Sequence, residues 1–168
     1  MTNLRAQIGY CERTEKRPYF YANAHEKDFV PLAPVEVEIA DARGRDCSLD
    51  VEGFTLVRHR SAVADLTDLD EVQRTHSGEI DALLTNLTGC DHVAMTPMGI
   101  LRFSERAGSN ASHDNSHPAR FVHVDMAKEA AAEARAKGAP EGREIARSAQ
   151  YNVWRVLSPP PQDVPLGL

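Results

Sequence analysis

His123 and Asp125 stand two positions apart in Phe121-Val122-His123-Val124-Asp125, a short apolar run carrying one imidazole and one carboxylate. Side chains alternate across a β-strand, so on a strand these two groups point the same way. Together they form two-thirds of the 2-His-1-carboxylate face that holds non-haem Fe(II) and leaves positions open for an oxidant and a co-substrate. The third member, a second His, comes from a distant strand in such sites. The same residues also have a plainer reading. Asp125 precedes Met126-Ala127-Lys128-Glu129 and a run of alanines with strong helix propensity. Asp is a favoured helix N-cap, so Asp125 also reads as the start of a helix, with His123 a hydrogen-bonded strand residue.

The elements around this run are legible in part. Residues 1–34 read as irregular, broken by Pro18, Pro31 and Pro34, with a short edge strand over Tyr19, Phe20 and Tyr21 and a solvated loop at His25-Glu26-Lys27-Asp28. Val35-Glu36-Val37-Glu38-Ile39 alternates apolar and acidic residues and predicts a half-exposed strand, turning at Gly44 into a second strand within 47–51. Residues 53–59 predict another strand, with His59 at the surface. The apolar spacing of Ile80, Leu83, Leu84 and Leu87 predicts a helix capped by Ser77 and ended by Thr88-Gly89. Residues 92–95 and 100–103 read as strands. Residues 104–118 read as a loop bordering an active site, and the i,i+4 pair His113 and His117 lacks the Glu of a zinc-binding HExxH. A helix is expected over 125–137 with Gly138 as its stop, a further helical turn within 143–149, and a strand over 151–157. On that strand Tyr151, Val153 and Arg155 share one face, and Asn152, Trp154 and Val156 the other.

Bulk properties exclude several functions. A net charge of −6 argues against a surface built to neutralise phosphates, so no nucleic-acid partner is expected. No apolar run reaches the length of a membrane span, and the N-terminal residues lack the apolar core of a secretory signal, so a cytoplasmic protein without a membrane partner is expected. Cys11, Cys47 and Cys90 have no metal-binding spacing and read as buried free thiols.

In order along the chain, GFTLVRH (53–59), TG-x-x-x-V (88–93), LRF (101–103), PARFVHVD (118–125), NVWR (152–155) and D-x-PL (163–166) resemble the CmcJ/NvfI (AsaB-like) family of oxidoreductases of bacterial and fungal secondary metabolism. The likeness runs from about residue 35 to the end. It implies a mainly β fold with helical inserts (α+β), a double-stranded β-helix (jelly-roll, cupin-like) arranged as one domain over 1–168. Residues 1–34 are then an irregular N-terminal segment, and 35–168 a jelly-roll core with a helical insert at 126–149. It implies an Fe(II)- and 2-oxoglutarate-dependent dioxygenase of hydroxylase or desaturase type, acting on a small-molecule substrate, with His123 and Asp125 as iron ligands.

Beside the iron, Asn152 is a candidate to hydrogen-bond the co-substrate or a ligand carboxylate. Arg102 and Arg155 are candidates to pair with an anionic co-substrate or substrate, or to form internal salt bridges. Trp154 is a candidate pocket wall or a core residue. Family members continue past the D-x-PL block and carry their second ligand His there, so distal strands are expected to be missing from this chain. His92, His113 and His117 are the candidate stand-ins. Three alternatives follow: a truncated chain, completion by a homo-oligomer or another chain, or a non-catalytic small-molecule-binding partner subunit.

Overall fold

The computed structural model describes residues 3–21, 24–95, 100–103, 118–119, 121–162 and 166–167. The chain divides into two compact units, one of Met1–Arg60, Arg102–His123 and Asp163–Leu168, the other of Ser61–Leu101 and Val124–Gln162.

The first unit is built on a two-stranded antiparallel sheet, β1 (Leu4–Cys11) against β2 (Leu32–Ile39). The alternation read over 35–39 is real, and it places Val35, Val37 and Ile39 on the same face as Ile8, Ala6 and Leu4 opposite them. The other face is polar, with Arg5 3.1 Å from Glu36 and Asn3 donating to Glu38. The partner of β2 is not the one expected. Residues 47–51 form a turn, in which the Glu52 and Gly53 amides donate to the Ser48 carbonyl and the Ser48 hydroxyl accepts from the Val51 amide. The supposedly irregular N-terminal segment supplies β1 instead. Strand pattern specifies which side chains face together; it does not specify which segment closes the ladder.

The ladder has a definite parity. The Glu12 amide donates to the Pro31 carbonyl at 2.9 Å, so hydrogen-bonded pairs fall at even positions of β1. Pro34, opposite Gly9, therefore sits at a non-hydrogen-bonded position, where its missing N–H costs nothing. Gly9 presents its own carbonyl away from β2, and that carbonyl accepts from the Val122 amide at 2.9 Å. Tyr19 forms an isolated bridge with Phe29 rather than a strand, and His25–Lys27 is one turn of 3-10 helix. His59 is half-buried rather than on the surface.

In the second unit the helical stretch starts earlier than its apolar spacing suggests. The Asp68 carboxylate accepts from the Asp70 and Glu71 amides at 3.0 and 3.1 Å and caps α1 (Leu69–Glu71). The chain passes through a π-helical stretch (Val72–His76) into α2 (Ser77–Thr88), so Ser77 lies inside a helix rather than at its cap. Residues 73–79 are polar, which hides this half of the helix from a hydrophobic period. Gly89, at φ 66°, ends α2 as expected, its amide donating to the Thr85 carbonyl.

Two glutamates on this helix hold the preceding loop. Glu71 accepts from the Ala64 and Asp65 amides. Glu79 accepts from the Ala62 amide at 2.6 Å, the Ser61 hydroxyl at 2.5 Å and His76 Nδ1 at 3.0 Å. The clamp closes beside Val63 and Ile80, the buried hydrophobic side chains among the described residues.

The third helix, α3 (Lys128–Gly138), begins three residues later than expected. Its cap is Ala127, in extended conformation and without a side-chain bond, so Asp125 is not an N-cap. Gly138 is its last residue, and a Cβ there would lie 2.8 Å from the Ala94 Cβ. Residues 143–149 form no helical turn.

Residues 53–59, 92–95, 100–103, 121–124 and 151–157 are not in strands among the described residues. A strand exists only where a neighbour completes its hydrogen bonds, and these segments have no such ladder. The established architecture is thus α+β, with one two-stranded sheet among the described residues. Cys11 is exposed and Cys47 and Cys90 are half-buried, all three as free thiols, so the expectation of buried thiols fails for Cys11.

The Ala62 amide, the Ser61 hydroxyl and His76 lower the Glu79 pKa to about 2 from an ordinary 4.5. A carboxylate with a depressed folded-state value stabilises the fold above its unfolded value, and that contribution fades as pH falls toward about 2. Glu79→Gln is therefore expected to lower Tm at neutral pH, with the difference from the parent narrowing in acid; a constant difference across a pH series of melting curves would refute the clamp. Gly138→Ala is expected to cost ~1 kcal/mol in urea unfolding despite the better helix propensity of Ala, because of the Ala94 contact.

Candidate metal-ligand residues

His123 belongs to the first unit and Asp125 to the second, and each is fixed by its own surroundings. The Val122–Gly9 hydrogen bond holds the backbone beside His123 to the open edge of β1. The Phe121 ring meets Phe20 edge-on at 5.4 Å, and the His123 ring lies 5.3 Å from Phe121. His123 Nδ1 is 2.9 Å from the Phe121 carbonyl oxygen. A carbonyl only accepts, so Nδ1 carries the proton and, in the neutral ring, Nε2 carries the lone pair. Metal-ligating histidines are commonly held this way through the nitrogen that does not ligate.

Asp125 is exposed and accepts, through Oδ2, a hydrogen bond from the side-chain amide of Asn152. Asp125 and Asn152 flank α3, and the far end of that helix is tied to residues 91–94. Arg143 donates to Asp91 and lowers its pKa, and His92 Nε2 donates to the Gly138 carbonyl at 3.1 Å. Arg135 donates to the Ile145 carbonyl. His92, a candidate stand-in ligand, thus serves the last turn of α3, where a ring N–H satisfies a carbonyl without a helical partner.

The other candidates are spread. Trp154 is 53 % exposed and is not a core residue. Arg155 is half-buried with its Nε shielded from solvent, and Tyr151 is half-buried on the same expected face. Arg102 is exposed in the first unit. His113 and His117 lie outside the described residues. Among the described residues, no group of three or more His, Cys, Asp or Glu side chains is placed to hold a metal ion. The donor chemistry nonetheless suits Fe(II) at two positions: an imidazole whose Nδ1 proton is held by a carbonyl, and a carboxylate that is not the cap of α3. Sequence reasoning missed Gly9 and Phe20, because nothing at those positions announces contacts with residues more than a hundred positions away.

Comparison with known proteins places the chain in a class. Residues 8–168 match the family model described as an oxidoreductase/YMDC permease-like domain, and the chain belongs to that family. A curated relative, the alpha-ketoglutarate-dependent dioxygenase phiK of a fungal species (strain ATCC 74256), is 31 % identical over 140 residues, covering 79 % of this chain and 49 % of that protein. The chain thus spans about half the length of the curated relative it matches. No solved structure gives a significant match. The resemblance to a 2-oxoglutarate oxygenase family, drawn from the sequence blocks, agrees with these matches. No helix among the described residues is long and apolar enough to cross a membrane.

Because His92 serves α3, His92→Ala is expected to lower stability by about 1 kcal/mol in urea unfolding while leaving Fe(II) affinity unchanged. A specific loss of metal affinity at full stability would return His92 to the ligand set.

Proposed function

We propose that the protein is a non-haem Fe(II)- and 2-oxoglutarate-dependent oxygenase of hydroxylase or desaturase type, acting on a small organic metabolite in secondary metabolism, within a jelly-roll domain. The observation that carries this reading is the state of Asp125. Two roles competed for its carboxylate, helix cap and metal ligand; α3 starts without it, and a neutral amide holds it instead. The locked tautomer of His123 and the relative's alpha-ketoglutarate dependence support the same conclusion.

In this reading His123, through Nε2, and Asp125 supply two of the three protein donors, and the third comes from outside the described residues. Bound there, Fe(II) with 2-oxoglutarate would supply dioxygen activation coupled to oxidative decarboxylation of the co-substrate. Arg155 and Arg102 are the proposed partners of anionic groups on co-substrate or substrate, since a guanidinium pairs with a carboxylate bidentately. Trp154 offers an apolar wall to the substrate. The protein works as an assembly, with a copy of itself or another chain. The half-exposed Leu4, Tyr10 and Val35 on the apolar face of the sheet support that part.

Anaerobic titration with Fe(II) in the presence of 2-oxoglutarate is expected to give a visible charge-transfer band that His123→Ala abolishes, and the aerobic protein is expected to release succinate. Neither band nor succinate from the parent would refute the oxygenase reading and favour a non-catalytic binding subunit.

A further inference from the structure

Tyr19, Phe20 and Tyr21 divide between two sides of the chain. Tyr19 exchanges two backbone hydrogen bonds of 3.0 Å with Phe29, and the Tyr21 amide donates to Asp28 Oδ1 at 2.7 Å, so the backbone on both sides of Phe20 is held. The Tyr19 ring meets the rings of Tyr21 and Phe29, each at 5.9 Å. The Lys16 ammonium lies 5.0 Å from the centre of the Tyr19 ring and 4.4 Å from that of Phe29, so this side already serves a cation. Phe20, between the two tyrosines, turns the other way, as alternation along an extended backbone requires, and reaches Phe121.

The rings of Phe20, Phe121 and His123 follow one another at 5.4 and 5.3 Å, all within the first unit. Their planes meet at 73° and 55°, so the rings touch at edges and corners and do not cover one another's faces. Phe20 is 39 % exposed, Phe121 is half-buried and His123 is exposed. The Val122 amide, bonded to the Gly9 carbonyl, pins the row to β1. A fixed row of partly exposed ring surface that ends on an imidazole is a preformed apolar wall. It favours a flat ring over a saturated one of the same size, because ring pairs gain contact energy beyond the area they bury.

We infer that Phe20 is a specificity-determining residue: with Phe121 it forms a wall beside His123, against which an aromatic or other planar apolar ring system of the substrate lies. This rests on the oxygenase reading above for the role of His123, and it names the substrate class that the reading leaves open.

The test uses 2-naphthol and its saturated counterpart, decahydro-2-naphthol, as probes on the full chain before any metal is added. The parent is expected to bind 2-naphthol about 3- to 10-fold more tightly than the saturated alcohol. The NMR signals of the His123 ring protons, identified by their loss in His123→Ala, are expected to shift as 2-naphthol is added. Phe20→Leu, apolar but without a ring, is expected to bind both probes equally, and Phe20→Trp to keep the preference. Equal affinity of the parent for the two probes overturns the inference. So does a preference that survives in Phe20→Leu, or a His123 signal that does not move, since either puts the ring elsewhere. Loss of far-UV circular dichroism in Phe20→Leu, or of the preference in a folded Phe20→Trp, overturns it too, by showing a packing role. A parent that keeps the aromatic preference but gives neither the Fe(II) charge-transfer band nor succinate overturns the oxygenase reading instead, and leaves the wall as a binding site for planar rings.

Discussion

Pro34 has no N–H to donate, and the geometry of the first unit is consistent with that one missing donor throughout. A proline within a ladder is tolerated only where its nitrogen faces away from the partner strand, which restricts the pairing to one parity. That parity leaves the Gly9 carbonyl on the outer edge of β1, available to the Val122 amide. The residue next to Val122 is the imidazole on which the proposed chemistry depends. A register shifted by one residue, with the Pro34 nitrogen still facing outward, would pair Pro34 with Tyr10 and point the Gly9 carbonyl inward, removing the seat of the 121–123 segment.

The second unit solves a different problem. Few of its side chains are buried, so polar contacts carry much of its definition. Glu71 and Glu79 gather three backbone amides and one hydroxyl from the loop before the helix, and Asp68 caps the same helix. Such contacts are directional, and fix a loop to a helix where a small apolar cluster, Val63 and Ile80, would leave it free to slide. The far end of α3 is held in the same manner, by a guanidinium on a carboxylate and an imidazole on a carbonyl.

What could be read from the sequence follows from these interactions. The β2 alternation, the Gly89 helix end and the alanine-rich helix are local signals, and they appear nearly where they were expected. The partner of β2 is not local. Nothing in Leu4–Cys11 distinguishes it as the strand that pairs across twenty residues, and nothing in Val35–Ile39 refuses a hairpin with 47–51. The helical stretch over 69–76 has no apolar period, since its residues are polar apart from Leu69 and Val72, and its start depends on the Asp68 side chain. The same asymmetry holds at the site. The His-x-Asp spacing is plain in the sequence, but whether Asp125 caps the helix is not, since α3 begins beyond it, with Ala127 as its cap. Asn152 was a candidate for two contacts, and the contact with Asp125 depends on how α3 returns the chain.

No side chain of α3 is buried, and its Glu133–Lys137 pair lies in solvent. The helix therefore behaves as a strut between two anchor points, about 16 Å long by its rise per residue. Its interior can drift in composition during evolution with little penalty, provided helicity and length are kept. Variation along this stretch should be concentrated in the middle turns, while the ends, where Gly138 meets Ala94 and the chain turns back to Asp125, should be held nearly fixed.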